Sequence, residues 1–479
     1  MLEHLEFPYG VLVLLVIALL FWRPTWGLTL FAAIFPMDPW SPRLPVPGIN
    51  SETIMIGVAL AVTVLRFGSR LPPLRYFGPV LAFAATVMIG FVVSITWATG
   101  MRAVDGGPAI WFIFKAAKMM TFTALLFYSV YWWFSDSKDR QGLLVALCVA
   151  LFLSSVAGIL DYHFGINPRG KFDGDRANGF LANANGMAES LGPMMFVPLY
   201  ILIRGVKFSR PLRAFAAVSY GLAAVALVLS LSRGNWIAFL AAHTVFFLLV
   251  NRRLLVGALA TIAILLALGA PLLPRIMTDR LEAATTTGNA IFRLPSKTIN
   301  LENSTASRVV FARIGLDMFE SSPIWGHGLH AFVFRTPEFG AKYGVLVRKE
   351  AHNLVVMMAA EMGLIGLSVL AWIVWAVFRC GRRLWRSDSP EYLLGAVLLA
   401  AGTHELIANL SGSAFVHVSQ ISAQFWILYA LAARAHVERF AEQEEPIAAP
   451  AQAIGWRRFA VRSPVAMPSS LSARDPREA

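Results

Sequence analysis

The residues best suited to chemistry stand where polar sequence meets apolar sequence. His352 and Asn353 close a polar segment running from Pro274 to Glu350, and the apolar stretch from Leu354 follows them. A neutral imidazole at the wet end of a helix bundle can take a proton from an incoming hydroxyl. The other reading is structural, with Asn353 a helix cap and His352 interfacial. Arg233, in Ser232-Arg233-Gly234-Asn235, separates two apolar runs. A guanidinium there either snorkels to headgroups or grips an anion such as a diphosphate through its planar fork. Arg308 opens SRVVFARIGLDMFESSPIWGHG, where Val309, Ile314, Met318 and Phe319 fall at roughly helical spacing and Ser307 is placed to cap. Arg308 and Arg313 are then either ligand-facing cations or that helix's solvated face.

The polar segment also carries Arg275, Arg280, Arg293, Lys297, Arg335, Lys342, Arg348 and Lys349 with fewer acids, a balance that suits an anionic lipid-linked substrate or lipid headgroups. Between Asp161 and Gly192 the chain is rich in Gly, Asn and Asp, either lining a sugar site with amides or turning into the span that Asn185 enters. Asp173 and Asp175 resemble a fragment of a calcium loop whose remaining ligands are missing. His404, Glu405 and Asn409 lie inside an apolar run, where ionisable groups are functional candidates by default and interhelical hydrogen bonding is the plainer account. His243, His327, His330 and His417 are isolated and receive no role. Metal-ligand spacing, a phosphate-binding loop, a nucleophile elbow and a dinucleotide fingerprint are all missing from the sequence, so neither a metal nor a cofactor is expected.

What must position these residues is membrane. Of 479 residues 57% are hydrophobic and 14% charged, with a mean hydropathy of +0.62, too apolar for a soluble domain. The apolar runs are solid rather than alternating, which excludes a β-barrel. The fold class expected is therefore an all-α polytopic membrane helical bundle of about 12–13 transmembrane helices, with one large periplasmic loop containing short helices. Runs fall near 10–22, 24–36, 52–67, 76–98, 109–134, 141–160, 186–204, 212–231, 235–250, 253–273, 353–379, 390–412 and 414–433. Arg23-Pro24 separates the first two, which either form a tight hairpin or leave one only partly inserted. The formal charge of +13 sits in short clusters between spans, among them Arg66/Arg70/Arg75, Arg204/Lys207/Arg210/Arg213 and Arg379/Arg382/Arg383/Arg386. All alternate onto one side, the cytoplasmic side by positive-inside bias, so nucleic acid is not an expected partner. The division is N-terminal helices 1–160, central helices 161–273 with a periplasmic loop at 161–185, the large loop 274–352, C-terminal helices 353–436 and a disordered cytoplasmic tail 437–479. Cys148 and Cys380 form no disulfide or metal framework.

Ser-Arg-Gly after one span, an arginine heading the loop helix, Pro323-x-x-Gly326-x-Gly328 and His352-Asn353-x9-Gly363-x-x-Gly366 together resemble the O-antigen ligase/polymerase superfamily over residues 160–430. Asn178-Gly179-Phe180 to Asn185 also looks like that family's loop before its central spans. The resemblance implies a bacterial inner-membrane enzyme with its active site facing the periplasm. It would move a glycan from undecaprenyl diphosphate to a hydroxyl of lipid A core, polysaccharide or protein, by an inverting, metal-independent step without a cofactor. It implies His352 as general base or acceptor-positioning group, Arg233 and Arg308 as diphosphate-neutralising catalytic residues, and Asn353, Asn185, Arg275 and Arg313 as substrate-binding residues. Ligase, repeat-unit polymerase and protein O-oligosaccharyltransferase remain alternatives; a lipid-linked glycan flippase is a rival of another class, and a non-catalytic membrane scaffold is a third.

Overall fold

The computed structural model describes residues 6–40, 50–68, 70–103, 106–167, 176–181, 183–204, 207–253, 256, 290–294, 297–301 and 303–443. The first half is α1 (Glu6–Trp22), α2 (Pro24–Ile34), α3 (Ser51–Phe67), α4 (Leu74–Ala98), α5 (Ala109–Trp133), α6 (Ser137–Phe164), α7 (Ala184–Met194), α8 (Phe196–Ile203), α9 (Arg210–Leu229) and α10 (Arg233–Val250). A two-stranded antiparallel hairpin, β1 (Ala290–Leu294) and β2 (Lys297–Leu301), precedes α11 (Asn303–Ser321) and α12 (Ala331–Gly340). The chain continues with α13 (Leu354–Trp385), α14 (Tyr392–Ala408), the single turn α15 (Ala414–His417) and α16 (Ser419–Gln443). Residues to Glu438 form one compact unit.

Among the described residues seven helical stretches are long and apolar enough to cross a membrane, α7 and α8 counting as one; α1, α2 and α14 are shorter apolar helices. The protein is a multi-pass, all-α membrane bundle. Each expected span coincides with helix except 253–273, of which only residues 253 and 256 are described; Asp173, Asp175, Arg275 and Arg280 lie outside the described residues. The tail differs from expectation at its start, because residues 437–443 continue α16; the remainder is outside the described residues. The hairpin in the polar segment was not legible from helical spacing.

Asparagine and aspartate set the helix starts: Asn50, Asp136, Asn183 and Asn353 each accept a backbone N–H of the first turn. Arg23-Pro24 does make a tight α1–α2 hairpin, and Gly27 lies so close to α1 that a Cβ there would stand 2.7 Å from Leu20 N. The central element is α14, buried on nearly every side. It approaches α13 through small residues, a Cβ on Gly395 falling 2.5 Å from Gly381 O. At its start Arg140 of α6, 3% exposed, bonds Glu391 and Glu438 and donates to the Phe134 and Ser135 carbonyls. This satisfied charge group ties α6, α14 and α16 together at the end opposite Arg233.

Gly363 is packed against the backbone of Pro323 and Ile324 rather than against another helix. It breaks α13, with φ 59° and ψ −151°. The segment 323–328, from the Pro-x-x-Gly-x-Gly motif, inserts there. His327 and Gly328 donate N–H groups to the Ala360 and Glu361 carbonyls at 3.0 and 2.8 Å, and Leu364 donates to Pro323 O at 2.8 Å. Gly326 and Gly328 have φ 68° and 94°, and a Cβ on Gly326 would meet the Glu361 backbone at 2.3 Å. On the other side Leu329 N donates to Gly90 O, and Trp97 Nε1 to His327 O at 2.7 Å. Glu361 then accepts the Phe332 N–H at the start of α12. Gly366 lies in the crook of its own kink, against Met362 and Met358.

Candidate functional site

The turn from α9 to α10 is the foundation of the site. Leu231, a non-glycine residue, has φ 51°, a sparsely populated conformation that reverses the chain and sets Arg233 at the first position of α10. Gly234 is needed there because a Cβ would lie 2.1 Å from Ser411 Oγ. Asn235 Nδ2 donates to Ser232 Oγ at 3.0 Å and to the Asn185 carbonyl at 3.3 Å, joining α10 to α7.

A second strand of chain lies along this turn. Asp161, at the end of α6, accepts the N–H groups of Asn167, Asn178 and Gly179, and Ala177 N donates to Leu229 O. The segment so fixed carries Arg176, whose Nε donates to Ser230 O at 2.9 Å and Nη2 to Asn185 Oδ1 at 2.8 Å. Arg176 was missed in the sequence; the one available signal was its position two residues before Asn178-Gly179-Phe180.

These elements, with α11 and the 408–412 turn, enclose a polar cleft of about 500 Å³ lined by Arg176, Asn185, Glu189, Leu231, Ser232, Arg233, Gly234, Asn235, Arg308, Ala408, Ser411 and Gly412. Arg233, Arg308 and Asn185 thus converge as residue types suited to an anion. Glu189 at 1% exposure was also missed; its Oε1 accepts the Phe415 N–H at 3.1 Å.

His352 stands beside this cleft and does not line it. It feels the charge of Arg308, and its ring centroid lies 6.2 Å from that of Phe311 on α11. Its backbone is left-handed, φ 50°. Burial holds its pKa below the ordinary imidazole value; Glu350 opposes that shift, and Arg308 and Lys349 reinforce it. Asn353 caps α13 through Val356 N and donates to Leu410 O at 2.9 Å, while Leu354 N donates to Asn409 O. The mouth of α13 is thereby tied to the turn that floors the cleft. Arg313 is half exposed, 3.9 Å from Asp317 and away from the cleft.

The helix bearing Arg308 departs from its expected form. It begins at Asn303, so Ser307 lies inside it rather than capping it, and its buried face is Val310, Phe311, Ile314 and Met318, with Val309 exposed. The intramembrane polar group meets the expectation in part. Asn409 Nδ2 bonds Glu405 at 3.0 Å and the Asn409 side chain also bonds Glu189 of α7, while His404 makes no hydrogen bond among the described residues. His404 instead fills the space left by Gly192, where a Cβ would lie 1.9 Å from its Nε2. His327 accepts from Arg335 at Nδ1 and faces Met318 O through Nε2, a fixed neutral tautomer within the loop clasp.

Residues 218–371 match the family model described as O-antigen ligase. The match covers about a third of the chain, 154 of its 479 residues, and supports a relation to the O-antigen ligase superfamily. The matched region runs from α9 into α13 and so contains Arg233, Arg308 and His352. Arg176 and Glu189 lie before it and join the site only through the fold. No curated protein matches the chain.

Proposed function

We propose that this protein transfers a glycan from undecaprenyl diphosphate to an acceptor hydroxyl at the periplasmic face of the bacterial inner membrane. The observation that carries this reading is the meeting of Arg176, Arg233 and Arg308, from three separate elements, in one cleft beside His352. In the step, the acceptor oxygen attacks the anomeric carbon from the side opposite the diphosphate and its proton passes to neutral His352. The glycosidic C–O bond breaks with inversion, and the electron pair leaves on the carrier diphosphate. Charge accumulates on that leaving group, where fixed guanidinium groups oppose it without reorganisation and take the part a metal ion would otherwise play.

In this reading α11, which carries Arg308, roofs the cleft and Asn353 acts at its margin, while Arg313, away from the cleft, takes no part. Ligase, polymerase and protein O-oligosaccharyltransferase chemistry share these residues and differ in the acceptor.

The test is reconstitution of the purified protein with a lipid-linked oligosaccharide in EDTA, with lipid A core, repeat-unit glycan and acceptor protein offered separately. Transfer to one of them is expected, and His352→Ala abolishes it while donor binding persists. Movement of labelled lipid across the bilayer without transfer would replace the proposal with a flippase.

A further inference from the structure

The cleft is not only cationic. Asn235, 3% exposed, donates both hydrogens of its amide nitrogen, to Ser232 Oγ and the Asn185 carbonyl. The amide therefore cannot flip, and Oδ1 is fixed as an acceptor. That oxygen is buried, belongs to a residue that lines the cleft and has no hydrogen-bond partner among the described residues. An unmet buried acceptor is costly and calls for a donor, which a phosphate oxygen cannot supply.

Glu189 adds a second acceptor on the same floor. Its Oε1 is held by Phe415 N, its carboxyl group is also hydrogen-bonded to the Asn409 side chain, and its Oε2 lies 3.0 Å from where a Cβ on Gly412 would stand. The cleft so places fixed acceptors from α7 and α10 among three guanidinium groups. A ligand that satisfies both carries hydroxyl donors covalently next to an anion, as a glycosyl diphosphate does. We infer that Asn235 Oδ1 and Glu189 take hydroxyl groups of the sugar attached to the diphosphate, so the cleft reads the first sugar of the donor as well as its phosphates. This rests on the proposed function.

Binding of undecaprenyl diphosphate alone and of the same carrier bearing glucose, galactose or N-acetylglucosamine tests it on the purified full chain. Two hydrogen bonds of ordinary worth predict that at least one glycosylated carrier binds about tenfold tighter than the bare one. Glu189→Ala and Asn235→Ala bring that ratio near one, the loss falling mainly on the glycosylated carriers; Gly412→Ala, which crowds Glu189 Oε2, lowers the ratio more mildly. The inference is overturned if wild type does not distinguish the carriers, or if the variants weaken both kinds of carrier equally, which marks these residues as structural. A wild-type protein that binds none of the probes removes the donor reading itself.

Discussion

His352 is held in a left-handed backbone conformation whose strain, about 1–3 kcal/mol, has to be met by the surrounding contacts. Its imidazole is displaced toward the neutral form by burial. A base must be neutral to accept a proton, so the pH dependence follows directly. Transfer should be level above the ordinary imidazole value of 6.5 and fall on an acid limb whose midpoint lies below it. A rate profile with its midpoint above 6.5 would contradict the arrangement. Arg233 makes a separate prediction. Lysine keeps the charge but loses the planar fork, so Arg233→Lys should lower kcat about a hundredfold, the scale of losing one group that stabilises developing charge. Steady-state transfer rates at saturating donor check it.

At the scale of elements, the decisive contact is made by backbone. The 323–328 segment enters the break in α13 because Gly363, Gly326 and Gly328 adopt conformations and approaches closed to a side chain. Gly363→Ala places a Cβ 2.5 Å from Ile324 O at φ 59° and should cost at least about 2 kcal/mol, seen as a lower unfolding temperature in detergent together with lost transfer. An unchanged unfolding temperature would show that the break is not required. The sequence made Gly363 and Gly366 visible but not their use, since x-x-Gly spacing reads the same for close helices and for a broken one. Likewise Ser307 has a capping side chain, yet the helix begins at Asn303, since Asn303, Ser304 and Thr305 are cap-type residues as well. Arg176 was hidden for a different reason: its part in the cleft depends on Asp161 and Leu229 fixing a loop, contacts remote in sequence.

For the whole molecule, the legible part was the part governed by the bilayer. Apolar runs near 20 residues can be little else than helices, so the spans at 74–98, 109–133 and 354–385 could be read with small errors at their ends. The hairpin at 290–301 lay in polar sequence under no such constraint. Orientation remains a measurable expectation of the charge clusters. Cys148 and Cys380 are buried, so single cysteines introduced at Glu320 and Asp388, both exposed, should react with a membrane-impermeant thiol reagent against a silent background. Glu320→Cys is expected to label in intact spheroplasts and Asp388→Cys only after lysis; the reverse pattern would invert the topology. The clasp between 323–328 and α13 bears on how such a protein can diversify. A grip formed by main-chain atoms is blind to the side chains carried beyond it. Exposed positions beyond it, such as Leu346 and Val347, could therefore change in composition, leaving the attachment in register. That surface would then be a cassette, replaceable without rebuilding the cleft that holds Arg176, Arg233 and Arg308.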